Sequence, residues 1–436
     1  MKFLLSNLLL LFLTISLSAQ SYEISQYRAR FERRPFLELN PRFGFSSTFT
    51  NSEVNQDRYQ GNASISAFWS EQSNLDHRIR SWSAGGNAGF GLQEYESEGF
   101  PDRSNAGITL NGSLDLYNYR DDNRFWGYRG AAFLTARANK EREDPADRQT
   151  QVSLNPGIFI GTGRIEFSED ALLANWMMDD LLEAGVITSA TPEQRLALAQ
   201  RVTSIIGNRT FDLRRRRIYE LKQLNLLFEE ANIAVADDFL LFAILNDNWA
   251  FANRATLPHG RRWQFGVDGG GNYIFQSQPV SNDQFILSAR PYINFQHAQV
   301  RHNNAATIWE AELSGFLQEG LDEDISLIPI LGFRSNAGVA LGLSHTYVWL
   351  PISRTTLRWR NAVNVLFEDF EEGGLVTTLN QWNIQAGSTL EWNYFITYNW
   401  RLTLNAGLQY SFADTDSFRF RSLRPSLGIQ SNYAIF

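Results

Sequence analysis

Residues 400–412 read WRLTLNAGLQYSF, and their alternation decides the fold class. Trp400, Leu402, Leu404, Ala406, Leu408, Tyr410 and Phe412 fall on one side of an extended chain. Arg401, Thr403, Asn405, Gly407, Gln409 and Ser411 fall on the other, because successive side chains of a β-strand point to opposite faces. The preceding stretch WNIQAGSTLEWNY (382–394) repeats the pattern, with Trp382, Ile384, Ala386, Leu390, Trp392 and Tyr394 opposing Asn383, Gln385, Thr389, Glu391 and Asn393. In a soluble sandwich the apolar face would meet a second sheet, with no reason for aromatics to gather at the strand ends. A strand that faces lipid has that reason, since aromatic rings settle at the two membrane interfaces.

The same alternation predicts strands near 36–50, 61–71, 78–93, 106–118, 124–138 and 149–165. They resume near 261–276, 284–298, 305–318, 331–350, 354–368, 378–394, 399–413 and 418–436. The expected architecture is an all-β transmembrane antiparallel barrel of about fourteen strands, an even number as single-chain bacterial barrels have. With both ends of the chain in the periplasm, the acidic connections EYESEGFPDRSN, NKEREDPADRQ, QEGLDEDIS and FEDFEEGG face outward. The short RDDN, LPIS and ITYN then face the periplasm. The barrel segments are expected at 21–167 and 255–436.

The first twenty residues, MKFLLSNLLLLFLTISLSAQ, read as a secretory signal peptide: Lys2, an apolar run from Phe3 to Leu17, then a small-residue exit. That run is too short to span a bilayer, which takes about 20 apolar residues. Cysteine is absent, so no disulfide framework or thiolate metal site is available. The net charge of −8 argues against a nucleic-acid partner, which selects a basic footprint.

On this pattern the chain resembles bacterial (Gram-negative) outer-membrane β-barrel proteins over nearly its whole mature length. The resemblance implies membrane lipid and the outer-membrane assembly machinery as partners, with the terminal aromatic Phe436 as the signal the machinery reads. Leu427, Ile429, Tyr433 and Ile435 share a face, and Phe436 lies on the opposite one.

From 168 to 254 the two-residue period vanishes. Ser168 is a plausible N-cap for SEDALLANWMMDDLLEAG, with acids in its first turn and Gly185 at its end. Thr191, Pro192 and Gln194 open TPEQRLALAQRVTSIIGN with a capping box. FDLRRRRIYELKQLNLLFEE (211–230) and ADDFLLFAILNDNW complete a set of four helices, which on the strand count hang in the periplasm. The segments GTGRIEFSEDALLANWMMDDLLEAGVI and LAQRVTSIIGNRTFDLRRRRIYEL resemble an insertion of Bacteroidota-type outer-membrane barrels, a resemblance that implies no activity. On the third helix Ile218, Leu221, Leu224 and Phe228 form an apolar stripe that Arg214 and Arg217 extend, while Arg215 and Arg216 point elsewhere. Arginines on a burying face need anions. The alternatives are internal pairing with Asp179, Asp180 and Glu183, or docking onto lipid phosphates or an acidic partner. The insertion holds 9 Lys plus Arg against 13 Asp plus Glu, so it is not a general polyanion binder.

No active site emerges from the five histidines, and neither metal nor cofactor is expected. Ser344 and His345 are adjacent in a strand and so face opposite ways, which assigns His345 to the aromatic belt. The glycines of 85–91 and 269–271 lie inside strands, where they mark bends or crowding. The polar face carries both signs: Asp115, Arg129, Arg137, Asp268, Arg290, Glu310, Glu312, Arg358, Arg360, Glu391 and Arg401. That face is either a salt-bridged interior or a polar pore. The functional readings are a porin-like channel for small polar solutes with a periplasmic docking or regulatory element, or a non-conducting scaffold presenting the insertion to a periplasmic protein. An enzyme is not expected.

Overall fold

The computed structural model describes residues 24–48, 58–95, 103–141, 147–207, 213–231, 233–250, 257–277, 284–301, 303–322, 334–371, 378–396, 400–415 and 419–433. Six strands come first: β1 (Phe31–Thr48), β2 (Arg58–Leu75), β3 (Arg78–Tyr95), β4 (Arg103–Tyr119), β5 (Arg124–Glu141) and β6 (Asp147–Phe167). Four helices follow: α1 (Glu169–Glu183), α2 (Pro192–Gly207), α3 (Leu213–Glu230) and α4 (Asp238–Ala250). The chain then returns to strands as β7 (Pro258–Ser277), β8 (Gln284–Arg301), β9 (Ala305–Asp322) and β10 (Arg334–Ile352). It closes with β11 (Thr355–Glu371), β12 (Thr378–Phe395), β13 (Trp400–Thr415) and β14 (Arg419–Tyr433). All fourteen strands pair in chain order in one sheet, and the ladders between them are antiparallel.

The face that alternation marked apolar is laid bare. Ile158, Leu427 and Ile429 are exposed across the middle of the wall. Trp126, Trp263, Trp309, Trp359 and Trp400 mark the end with short turns, and Phe90, Phe275, Trp382 and Tyr410 the other. Ten residues separate Trp400 from Tyr410. At ~3.3 Å per residue and the tilt of such strands, that matches an apolar band ~25 Å tall. This is the lipid-facing wall of an outer-membrane β-barrel. His345 sits in the belt between Trp309, 4.3 Å away ring to ring, and Trp359, 6.3 Å away. On the loop side the strands run further than the alternation suggested. Glu94 and Tyr95 belong to β3, Arg103 to Asn105 to β4, and Glu371 ends β11, so the hydrogen-bonded wall projects past the aromatic belt.

The helical block has an ordinary soluble core. Leu172, Met177, Met178, Leu181, Leu198, Ile206, Leu224, Phe228, Leu241, Leu245 and Trp249 are almost completely buried in it. Thr191 and Gln194 form the expected reciprocal capping box, at 2.9 and 3.3 Å. Gly185, at φ +68°, ends α1 with hydrogen bonds from its own N–H to Leu182 O and from Val186 N–H to Leu181 O, a Schellman closure. Asp237 caps α4 through Phe239 and Leu240 N–H. Two local expectations fail. Ser168 stands at the N-cap of α1 but makes no side-chain cap, because its hydroxyl is turned to His259 Nδ1 at 2.7 Å. Ile218 is 67% exposed, so the buried stripe of α3 is Glu220, Leu221, Leu224, Leu227 and Phe228. The phase is rotated because Glu220 accepts a hydrogen bond from buried Trp249 Nε1 (2.6 Å) and turns inward. The backbone at Arg214 and Arg217 is helical, and their side chains lie outside the described residues.

The core extends beyond the helices. Ile24, Tyr27, Ala29 and Phe31, ahead of and at the start of β1, are buried in it. So are Ala306 of β9 and Val348 and Leu350 of β10. The described chain before β1 is thus a strap sewn into the helical block. In a flat sheet with strands ~4.8 Å apart, β1 and β10 would stand ~43 Å apart. Yet α1 binds β1 through Asp170, while Asp180, ~15 Å along the same helix, binds Asn248, next to Asp247 and the β10–β11 turn. The sheet therefore curls round the helical block. Among the described residues no ladder joins β14 to β1.

Candidate functional site

Every charged residue read from the sequence as lining the interior lies on the face opposite the exposed tryptophans, as the ladder registers require. The fold brings five of them together. Arg129 of β5 donates Nε–H to Asp268 Oδ1 of β7 at 2.7 Å, and a second nitrogen to Oδ2. Arg290 of β8 reaches Asp268 Oδ2 at 3.0 Å and Glu312 of β9 at 3.4 Å. Asp115 stands opposite Arg129 in the β4–β5 register. The β5–β7 contact vaults over β6, and this is where glycine is required. A Cβ on Gly157 would stand 2.2 Å from Asp268 Oδ1.

The remaining charges are dispersed. Glu310 accepts from Gln296 and Ser344, both at 3.1 Å. Glu391 faces Arg358 in the β11–β12 register and accepts from Asn393 Nδ2 at 2.5 Å. Arg401 lies 6.0 Å from the Phe395 ring. Arg360 lies opposite Thr346 and Thr389, and Arg137 opposite Gly107.

Below the clamp, toward the short turns, stands an interior aromatic cluster that the alternation did not flag: Tyr117, Tyr119, Phe125, Phe159 and Tyr292. Tyr117 and Phe159 are 4.9 Å apart, and Arg129 and Arg262 lie over Tyr292 and Tyr117 at 4.2 and 4.7 Å. Glycines on the neighbouring strands make room for the rings. Added Cβ atoms would meet the Phe159 ring at 2.5 Å from Gly127 and the Phe125 ring at 2.3 Å from Gly161. Aromatics and glycines at matching heights on an otherwise polar face were the signal available in the sequence.

The helical block is anchored to the rim by polar contacts. Arg34, largely buried on β1, reaches Asp170 Oδ2 at 2.5 Å and Glu169 at 3.3 Å. Thr203 of α2 also reaches Asp170 at 2.5 Å, and the Tyr27 hydroxyl meets Thr203 at 2.5 Å and donates to Ala199 O at 3.0 Å. Desolvation, then the neighbouring Asp170, pushes the Glu169 carboxyl up to about 7 against the pull of Arg34. Across the mouth, Arg354 of the β10–β11 turn holds Asp247 at 2.8 Å, and the strap's Ile24 N–H reaches Asn303 at 3.3 Å. Asp179 and Asp180, two of the acids read as partners of Arg214 and Arg217, are met by Arg195 (2.6 Å) and Asn248 (2.6 Å). These sit on α2 and α4, which flank α1 directly.

Ser168 and His259 do form a hydroxyl–imidazole pair, absent from the sequence reading. Ser168 is fully buried where β6 enters α1, and nearby Glu166 is bound by Arg30 at 2.8 and 2.9 Å and by Arg164 at 2.8 Å. The pair is a structural joint. Among the described residues no cluster of metal-ligating side chains occurs. Phe436 and residues 1–20, read as a signal peptide, lie outside the described residues.

No family model and no curated protein matches the chain. Among solved structures it is similar to the β domain of the Bordetella autotransporter BrkA, at 8% identity over 92% of this chain and 98% of that one, with a TM-score of 0.28. It is also similar to a deltaS2 mutant of the TodX monoaromatic hydrocarbon channel, at 7% identity, 93% and 90% coverage and a TM-score of 0.30. A third similar structure is a bacterial polysaccharide outer-membrane secretin, at 11% identity, 94% and 99% coverage and a TM-score of 0.25.

Proposed function

We propose that the protein is a porin-like outer-membrane channel for small polar solutes, with the helical insertion (168–254) as a regulatory cover on its periplasmic mouth. The observation that carries this reading is the pairing of a two-signed interior with a helical block tied to the rim on opposite sides, by Arg34 and by Arg354. A barrel of about fourteen strands falls between those filled by side chains and those with an open aqueous channel. The Asp268 clamp narrows one wall and leaves Arg358, Arg360 and Arg401 on strands well away from it. Transport of this kind needs no chemical step, cofactor or nucleic acid. Lipid and the assembly machinery, reading Phe436, are the partners the barrel requires.

Single-channel recording of the refolded protein tests this. Conductance should be low in the full chain and rise when 168–254 is replaced by a short turn. Silence from both proteins, once folding is verified, would sink the channel. A second reading, a scaffold for a periplasmic protein, is supported by Phe239 and Phe242 on α4, 81% and 54% exposed on a helix whose Leu241, Leu245 and Trp249 are buried.

A further inference from the structure

At the short-turn end, the inward-turning Arg30 and Arg34 each meet two carboxylates. Arg30 has Glu166 and Asp76, and Arg34 has Glu169 and Asp170. The outward-turning Arg33 and Arg80 do not. Arg33 of β1 and Arg80 of β3 share Glu71 of β2, one on each carboxylate oxygen, at 2.7 and 3.0 Å. Glu71 is buried between them, while the side chains of Arg33 and Arg80 are 57% and 37% exposed. Arg78 follows on the same face of β3 by alternation and stands opposite Asn118 of β4. Two cations thus hold one anion, whose two oxygens are both taken, and Arg78 stands one same-face step beyond Arg80.

The patch also holds donors with nothing to bind. Ser73 Oγ, Arg78 Nε, Arg80 Nε and Asn118 Nδ2 are buried without a hydrogen-bond partner among the described residues. Ser73 faces Arg80 across the β2–β3 ladder. Next to lipid such groups are costly to leave unmet, because no water reaches them. Their depth defines what can meet them. Trp69 and Trp82, 6.1 Å apart on the same face, form the belt here, and Glu71 lies opposite Trp82. Arg80 is one same-face step further out, ~7 Å at the strand rise. Interfacial tryptophans sit at headgroup level, so the guanidinium groups stand among the phosphates.

We propose that the outward face of β1–β4 at this end binds the phosphate of an anionic phospholipid in the periplasmic leaflet. Arg33 and Arg80, preset by Glu71, present their remaining N–H groups as forks to the phosphate oxygens, the geometry guanidinium groups favour.

Native mass spectrometry of the full chain in detergent, offered phosphatidylglycerol or phosphatidylcholine, tests the site. The wild type should retain phosphatidylglycerol about tenfold better, as one charge-assisted contact implies. Arg33→Gln with Arg80→Gln should abolish that preference, and Arg33→Lys with Arg80→Lys should keep part of it. Heat-modifiable gel migration verifies folding. If the double glutamine variant does not fold, Arg80→Gln alone must lower the preference, with Arg124→Gln elsewhere on the rim leaving it intact. Equal retention of both lipids, or a preference untouched by the glutamine variants, overturns the proposal. Displacement of the lipid by millimolar inorganic phosphate would show a soluble-anion site and overturn it as well.

Discussion

The barrel wall and the helical block solve the same problem in opposite directions. The wall turns its apolar side chains outward, so Leu427 is 83% and Ile158 69% exposed, and it holds its interior with charge. The block turns its apolar side chains inward, so Met177, Leu198 and Leu224 are fully buried, and apart from Glu220 the charges discussed above lie on its outside or at the joint with the rim. Lipid takes the place of a core for the wall, whose backbone hydrogen bonds run between neighbouring strands. The block needs a core of its own and completes it with Ile24, Tyr27, Val348 and Leu350 from outside the insertion. The two regions therefore fail differently when damaged.

The joint should be the most sensitive point. Arg34→Ala leaves Asp170 buried without its cation, and breaking one side of a buried pair costs ~3–5 kcal/mol. The expected result is early protease cleavage within 168–254, while the heat-modifiable barrel persists. Simultaneous loss of both would show that block and wall are a single cooperative unit.

The wall should answer to volume instead. Gly161→Ala places a methyl 2.2 Å from Trp263 O and 2.3 Å from the Phe125 ring, and one of these contacts is rigid backbone. Overpacking of this kind costs about 1–3 kcal/mol. The gel-shift melting temperature should fall, with proteolysis of the insertion unchanged.

The smallest effect is the response of the joint to pH. The Glu169 carboxyl is raised to about 7 from an ordinary 4.5, so the folded joint holds a proton that the unfolded chain releases. Its contribution is present below about pH 4.5 and is lost as pH rises through about 7. Over the pH range that a protease assay can use, the effect is on the order of 1 kcal/mol. The insertion should resist protease better at pH 5.5 than at pH 8, and Glu169→Gln should flatten the difference. A steeper dependence in the variant would remove Glu169 as its source.

Much of this architecture was legible in the residues. A two-residue period of apolar and polar side chains marks a strand with two unlike environments, and fourteen such runs were placed within a few residues of their ladders. Capping chemistry located helix starts at Thr191 and the stop at Gly185, because those signals act within one turn. The errors came where a distant residue competes with a local rule. His259 draws away the Ser168 hydroxyl, and Trp249 draws Glu220 inward and rotates the buried stripe of α3 away from Ile218.

The sequence by itself determined which face of each strand meets lipid, how many strands there are and where the helices interrupt them. All of these follow from periodicities of two and 3.6 residues, which the chain expresses locally. Only the tertiary structure decided which charges meet. Asp268 joins Arg129 across an intervening strand, Arg34 finds Asp170, and the segment before β1 completes the core of an insertion that begins at residue 168. Those contacts join residues up to 279 positions apart, as Ile24 and Asn303 show. Their meeting depends on the curl and register of the whole sheet, which no local pattern encodes.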